Sequence, residues 1–281
     1  MIRIITDSTS DLGSELLTKL NIEVIPLSVN FSNSSYLDGI EITTEDLYKK
    51  VEEYDELPKT SAIPIPVFEE VFKKYVSMGD EVIYTGISKQ MSRTHENAYL
   101  ASVSVDENKV KVVDSMNLST GIGLILMKAC KYRDQGDSLN EIVEKMNRDV
   151  KLVLSQFAIE KMDYLHKGGR CSSIAAIAGK VLKIKPIIAV RDGKMHVQKK
   201  PIGKMKIALD AMIKQIIADK DRLDTDCIFI THSIAYESCA YIKEILEKEF
   251  PNINIYTTLA GCVISSHCGR GTIGILYMVK E

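Results

Sequence analysis

The segment Gly261–Gly274, GCVISSHCGRGTIG, gathers two serines, one histidine, two cysteines and four glycines near the end of a 281-residue chain. Four chemistries use such residues, and spacing separates them. Gly269-Arg-Gly271-Thr-Ile-Gly274 fits G-x-G-x-x-G by letter, but a dinucleotide loop needs a strand before it, a helix after it and a later acidic residue. Only seven residues follow Gly274, and they read as a strand, which excludes that use. Cys262, His267 and Cys268 lack the paired spacings of a zinc site and no H-E-x-x-H occurs, so no metal is expected. A nucleophilic centre would use His267 as base with Ser92 or Ser265. No G-x-S-x-G elbow or S-x-x-K motif supports it, and a hydrogen-bonded structural histidine is the plain alternative. The fourth chemistry is capture of a carboxylate, which only accepts hydrogen bonds and suits hydroxyls, backbone N–H groups and one histidine. Taken alone, these residues leave catalysis and binding both open.

Polar residues recur just after apolar runs: Asp7-Ser-Thr-Ser10, Thr60-Ser61, Ser88 with Ser92, Asp114-Ser115 and Thr231-His232. Each one is an ordinary helix-capping candidate. Their repetition fits loops along the carboxyl edge of an open parallel sheet, where ligands bind.

Strands and helices must position these loops. The first half reads as a strand at Ile2–Thr6, a helix carrying Leu12 to Leu20, a strand at Ile22–Val29 and a helix capped by Thr43-Thr44. A proline-stiffened loop at Lys59–Pro66 leads into an amphipathic helix over Val67–Val76. Strand Glu81–Ile87, helix Glu96–Ser104, strand Lys109–Val113 and a helix from near Leu118 follow. This alternation implies a mainly parallel sheet with right-handed crossovers. The second half has a strand at Leu152–Ile159, a helix opened by Gly168-Gly-Arg170 and a hairpin around Asp192-Gly193. After a long helix come strands Cys227–Thr231, Asn254–Thr258 and Ile273–Val279, with the quoted segment as a loop before the last. The expected fold is α/β, in two domains at residues 1–155 and 156–281, the second with a mixed sheet.

A net charge of −2 and a pI near 6.3 give no global positive field for nucleic acid or an anionic membrane. Lys128 closes the apolar run Gly121–Met127 well short of a membrane span, and the chain starts without a signal-peptide pattern, so a cytoplasmic protein is expected. Cys130, Cys171, Cys227, Cys239, Cys262 and Cys268 form no Cys-x-x-Cys pair and read as reduced thiols.

The chain resembles the DegV family of bacterial fatty-acid-binding proteins, which includes the binding subunits of fatty acid kinase. The resemblance lies in Thr6-Asp-Ser-Thr-Ser-Asp-Leu12, Ile25-Pro-Leu27, Thr60-Ser61, Ser88 with Met91-Ser92-x-Thr94, and Val113-Asp-Ser115. It continues in Lys167-Gly-Gly-Arg170, Lys183-Ile-Lys-Pro186 and Ser265-Ser-His267 with Gly269-x-Gly271, in family order across nearly the whole chain. It implies a long-chain fatty acid buried between the two domains, its carboxyl held by Thr60 and Ser92 and supported by His267. Ser61, Arg93 and Ser265 complete the candidate binding set. It further implies a non-catalytic protein without cofactor, which presents the acid to a separate ATP-dependent kinase subunit near Arg170 for acyl-phosphate formation. That reaction would feed phospholipid synthesis.

The chain departs from the family pattern at Ala62-Ile-Pro64, at Arg93 in place of glycine, and at Arg270 in place of a frequent proline. Arg93 has three places to go: the ligand, the entrance, or solvent and partner, the last being favoured. Helices Val67–Val76 and Ile174–Leu182 are candidate tunnel walls, though such apolar faces usually build core. The rival readings are a Ser/His-dependent acyl or phosphoryl transferase using Ser92 or Ser265 with His267, and an interaction module whose lipid is incidental.

Overall fold

The computed structural model describes residues 1–175 and 184–280. The chain opens with β1 (Ile2–Asp7), α1 (Ser14–Leu20), β2 (Ile22–Ile25), β3 (Ser28–Phe31), β4 (Ser34–Leu37), α2 (Thr44–Tyr54), β5 (Lys59–Ser61) and α3 (Ile65–Ser77). Then come β6 (Glu81–Gly86), α4 (Thr94–Val105), β7 (Val110–Asp114), α5 (Thr120–Gln135) and α6 (Leu139–Asp149). Strands β2-β1-β6-β7 form an all-parallel sheet, as the alternation implies. The apolar run Ile22–Val29 is not one strand. Pro26, which has no N–H to give a ladder, divides it between the parallel sheet and a small antiparallel sheet ordered β4-β3-β5. Thr60 and Ser61 therefore lie on a strand paired with β3 rather than in a loop.

The second half contains β8 (Val153–Ala158), α7 (Asp163–Gly168), β9 (Ile187–Arg191), β10 (Lys194–Lys199), α8 (Met205–Ala218), β11 (Leu223–His232), α9 (Tyr236–Glu249), β12 (Asn254–Leu259), α10 (Cys262–Cys268) and β13 (Ile273–Val279). Its sheet, ordered β10-β9-β8-β13-β11-β12, is mixed: β11 and β12 are parallel and every other pair is antiparallel. The β9–β10 hairpin turns at Asp192-Gly193, both with positive φ (49° and 73°), as a type I′ turn requires.

Two sequence expectations are corrected here and a third falls mostly outside the described residues. Gly168-Gly169 ends a helix instead of opening one: Gly169 has φ 70°, the left-handed cap conformation that closes α7. Of the expected Ile174–Leu182 helix, Ile174 ends a short 3-10 turn, and residues 176–183 lie outside the described residues. The quoted segment is not a loop either, because residues Cys262–Cys268 form α10.

The two larger sheets share one core through α5. Ile122, Leu124, Ile125 and Leu126 are all buried, touching a cluster that includes Ile4 and Ile83 of the parallel sheet and Phe229, Leu276 and Met278 of the mixed one. A helical stretch apolar on all sides, as Gly121–Met127 is, is stable only when enclosed in this way. Gly123 permits the approach, since a Cβ there would lie 2.7 Å from the Leu12 side chain. Among the described residues no helix is long and apolar enough to cross a membrane.

Because α5 serves both sheets, truncating it is expected to weaken both together. Ile125→Ala should cost about 2–5 kcal/mol and lower a single urea midpoint seen by every probe. Separate midpoints for the two halves would contradict the shared core.

Candidate functional site

Helix α10 has seven residues of modest helix propensity and no capping side chain of its own at Gly261. Its first N–H groups would be orphaned without outside partners. The first half of the chain supplies them. Asp38 accepts from the Cys262 N–H (2.7 Å) and the Val263 N–H (3.2 Å), and Asp11 accepts from the Gly261 N–H (2.8 Å) and the Ser119 hydroxyl. Acceptors are needed at this end of a helix, where the first N–H groups have no partner within it. A Cβ on Gly261 would lie 3.2 Å from both Asp38 oxygens and 3.3 Å from Asp11, so glycine lets both carboxylates close in. Asp7 plays a similar part at the carboxyl edge of the parallel sheet, accepting from Thr9, from the Tyr84 hydroxyl (2.7 Å) and from the Ile87 N–H (3.0 Å). Burial raises all three acids above the usual carboxylate range, and Asp11 reaches about 8.

The clamp fixes His267 on the last turn of α10. Its Nε2 lies 2.9 Å from Thr60 Oγ1 on β5, while Nδ1 is buried without a partner. Gly168 packs against this nitrogen, where a Cβ would come within 2.5 Å. Burial, and then the charge of Arg170, push His267 down to about 4, so the ring is neutral at pH 7. A buried N–H without an acceptor is costly, which puts the single ring proton on Nε2. His267 then donates to Thr60, and the Thr60 hydroxyl keeps its own proton to give. Ser92 is served in the same manner: it accepts from the Thr94 N–H (3.2 Å) and its oxygen lies 2.9 Å from Thr94 Oγ1.

These hydroxyls face a cavity of about 430 Å³ between the sheets, within the roughly 300–1,000 Å³ of small-molecule sites. Ser61, Lys89, Arg93 and Arg170 line it from exposed positions and mark its mouth. Thr60, Ser92 and His267 line it half-buried, and the buried side chains of Leu118, Phe157, Leu165, Met195 and Leu276 give it apolar walls.

The structure thus brings together Thr60, Ser61, Ser92, Arg93, His267 and Arg170. Arg93 points away from the cavity's interior: its side chain is 83% exposed and pairs with Glu96. Its backbone, with φ −75°, requires no glycine. Arg170 donates to the Gly168 carbonyl at 2.7 Å. Ser265 is corrected, because it lies behind the wall instead of on it. Fully buried, its hydroxyl engages Ser233 (2.8 Å) and the Ala260 carbonyl (3.2 Å). Neither Ser92 nor Ser265 bonds to His267, so the serine–base pair of a nucleophilic centre is not formed. No group of three metal-ligating side chains occurs among the described residues. The apolar face of α3 also proves to be core, with Phe68 and Phe72 packed near Tyr84. Sequence reasoning missed Asp38, which nothing around it flags, and the structural role of Asp11, although its loop was conspicuous.

A model described as "uncharacterised protein, DegV family" matches residues 1–280. A DegV domain-containing protein of Clostridium acetobutylicum is 32% identical over 280 residues, covering 99% of both chains. Among solved structures, a DegV family protein from Thermus thermophilus, described for its fatty acid binding, superposes with a TM-score of 0.92 at 29% identity over 99% of each chain. DegV of Bacillus subtilis, described as a fatty acid binding protein, gives 0.88 at 28% identity over 99% of each.

The clamp carries a pH signature. Folded Asp11 holds its proton to about pH 8 and the unfolded residue only to its ordinary 3.8. Its contribution to stability is therefore complete below about pH 4 and lost as pH rises toward 8. Asp11→Asn, which keeps the shape and cannot ionise, is expected to flatten that decline in a series of melting curves between about pH 5 and 8. An unchanged slope would count against the buried-acid account.

Proposed function

The chain belongs to the DegV family, and from that premise we propose that it holds one long-chain fatty acid between its sheets, carboxyl at the mouth and tail inward. The observation that carries this reading is the chemistry of the lining: exposed cations, half-buried hydroxyls each backed by a donor, and buried apolar walls. A carboxylate accepts what Thr60 and Ser92 have left to give. Neutral His267 acts through Thr60, and Arg170 supplies the nearby positive charge. Burying about 15 methylenes at roughly 0.8 kcal/mol each gives a gross transfer energy near 12 kcal/mol, before ordering costs are subtracted. The tail supplies affinity and the hydroxyls fix orientation.

The protein is, on this reading, a carrier and not a catalyst. The acid's head group at the mouth, beside Arg170, is offered to an ATP-dependent kinase subunit that phosphorylates the carboxyl group. This partner step is supported by the family resemblance and by a site that holds a carboxylate without a nucleophile–base pair to act on it.

Native mass spectrometry of the purified protein, followed by solvent extraction, is expected to find one stoichiometric acid of about C14 to C18. An empty protein that also refuses added palmitate and oleate would overturn the reading. Thr60→Ala combined with Ser92→Ala removes two hydrogen bonds to a charged group, each worth about 1.5–3 kcal/mol, and should weaken binding at least tenfold. Acyl phosphate should form from ATP only when the kinase subunit is added.

A further inference from the structure

Strand β13 alternates cleanly. Ile273, Ile275, Tyr277 and Val279 pack into the core beneath α8 and α9, while Leu276 and Met278 fill the opposite face against α5. Gly274 is the next position on that second face, and there the row of large side chains stops. In register it sits between Phe157 of β8 and Thr231 of β11, and all three line the cavity.

Backbone conformation does not require this glycine, since Gly274 is absent from the positive-φ positions. Glycine weakens a strand interior and there commonly marks a close approach by a ligand or another backbone. A Cβ on Gly274 would lie 3.2 Å from Leu276 Cδ1 and Phe157 Cβ, and 3.0 Å from the Gln156 carbonyl oxygen. Those contacts are tighter than ordinary van der Waals distance, so a methyl group there would take up the space beside Phe157 and make β8 and Leu276 give by a few tenths of an ångström. Among the lining residues Gly274, Thr231 and Leu276 are buried, whereas Lys89, Arg93 and Arg170 are exposed, which sets the notch apart from the mouth. It also makes no polar demand, because the Thr231 hydroxyl already engages Thr120 (2.6 Å) and Thr258 (2.9 Å).

Resting on the fatty-acid reading above, we propose that the missing side chain at Gly274, framed by Phe157, sets the length limit of the acyl tail. The last methylenes of a long acid occupy the notch, and shorter acids end before it.

Displacement of a fluorescent fatty acid by saturated acids from about C10 to C18 tests this in wild type, Gly274→Ala and Phe157→Leu. Each methylene denied burial costs about fourfold in affinity. Gly274→Ala is expected to lose about tenfold or more for C16 and C18 acids and less than about twofold for C10 and C12. Phe157→Leu, which widens the same place, is expected to move the optimum to longer acids. A uniform loss across all lengths, or an unchanged profile in the folded variants, would overturn the inference while leaving the fatty-acid reading intact. Wild type that binds no acid at all would instead remove the reading on which it rests. Should Gly274→Ala fail to fold, the direction of the Phe157→Leu shift decides alone.

Discussion

Two buried carboxylates gripping the start of one short helix hold the site together. Asp11 and Asp38 come from the first half of the chain, and α10 comes from its last twenty or so residues, yet Gly261, Cys262 and Val263 donate directly across that gap. Neighbouring bonds reinforce the joint: Thr44 donates to the Ala260 carbonyl (2.7 Å) and the Tyr48 hydroxyl meets Ser233 (2.6 Å). A seven-residue helix has little stability of its own. Its position is set from outside, and with it the position of His267. The arrangement has a cost, since burial disfavours ionised carboxylates and the charges of Asp38 and Asp7 raise Asp11 further. Hydrogen bonds from helix N–H groups offset part of that cost.

The joint explains why the cavity lies where it does. Helix α5 and the loop before it tie the sheets, with Thr120 touching Thr231 and Asn117 accepting from Ser155 (2.7 Å). Helix α10 ties them again, through Thr60 and the aspartates. Between these two ties the sheets are held apart, and apolar side chains from both halves line the space left over.

The sequence carried the sheets better than it carried the joint. Periodicity exposes β1, β6, β7 and β13 because each buries a repeating apolar face, and Asp192-Gly193 exposes its hairpin because only a few residues tolerate both positive φ values. Local pattern fails where tertiary contacts decide. Helix α10 reads as a loop because its cap is Asp38, more than two hundred residues away in sequence, and α7 is hidden by its brevity and by a glycine pair that looks like a beginning. In the site, Thr60, Ser92 and His267 were legible as residue types after strands and through the family motifs. Ser265 misled for the opposite reason: a serine two residues before a histidine on a helix points to a different side from that histidine, here into the network with Ser233.

The protonation of His267 suits it to donating a hydrogen bond. A general base must work near its operating pH and touch the proton it takes, but this ring sits near 4 and touches only Thr60. What it does well at neutral pH is donate. With the Nε2 proton directed at Thr60, that hydroxyl can turn its own proton outward, and Thr94 gives Ser92 the same freedom. Both hydroxyls line the cavity, where a carboxylate could accept from them, and buried apolar side chains form other parts of its wall. On the proposed reading, a ligand sits there with its carboxyl beside the exposed cations. The head group is then the one part of a buried acid that a second protein can reach, which lets a site lacking a catalytic pair still govern where chemistry on its ligand takes place.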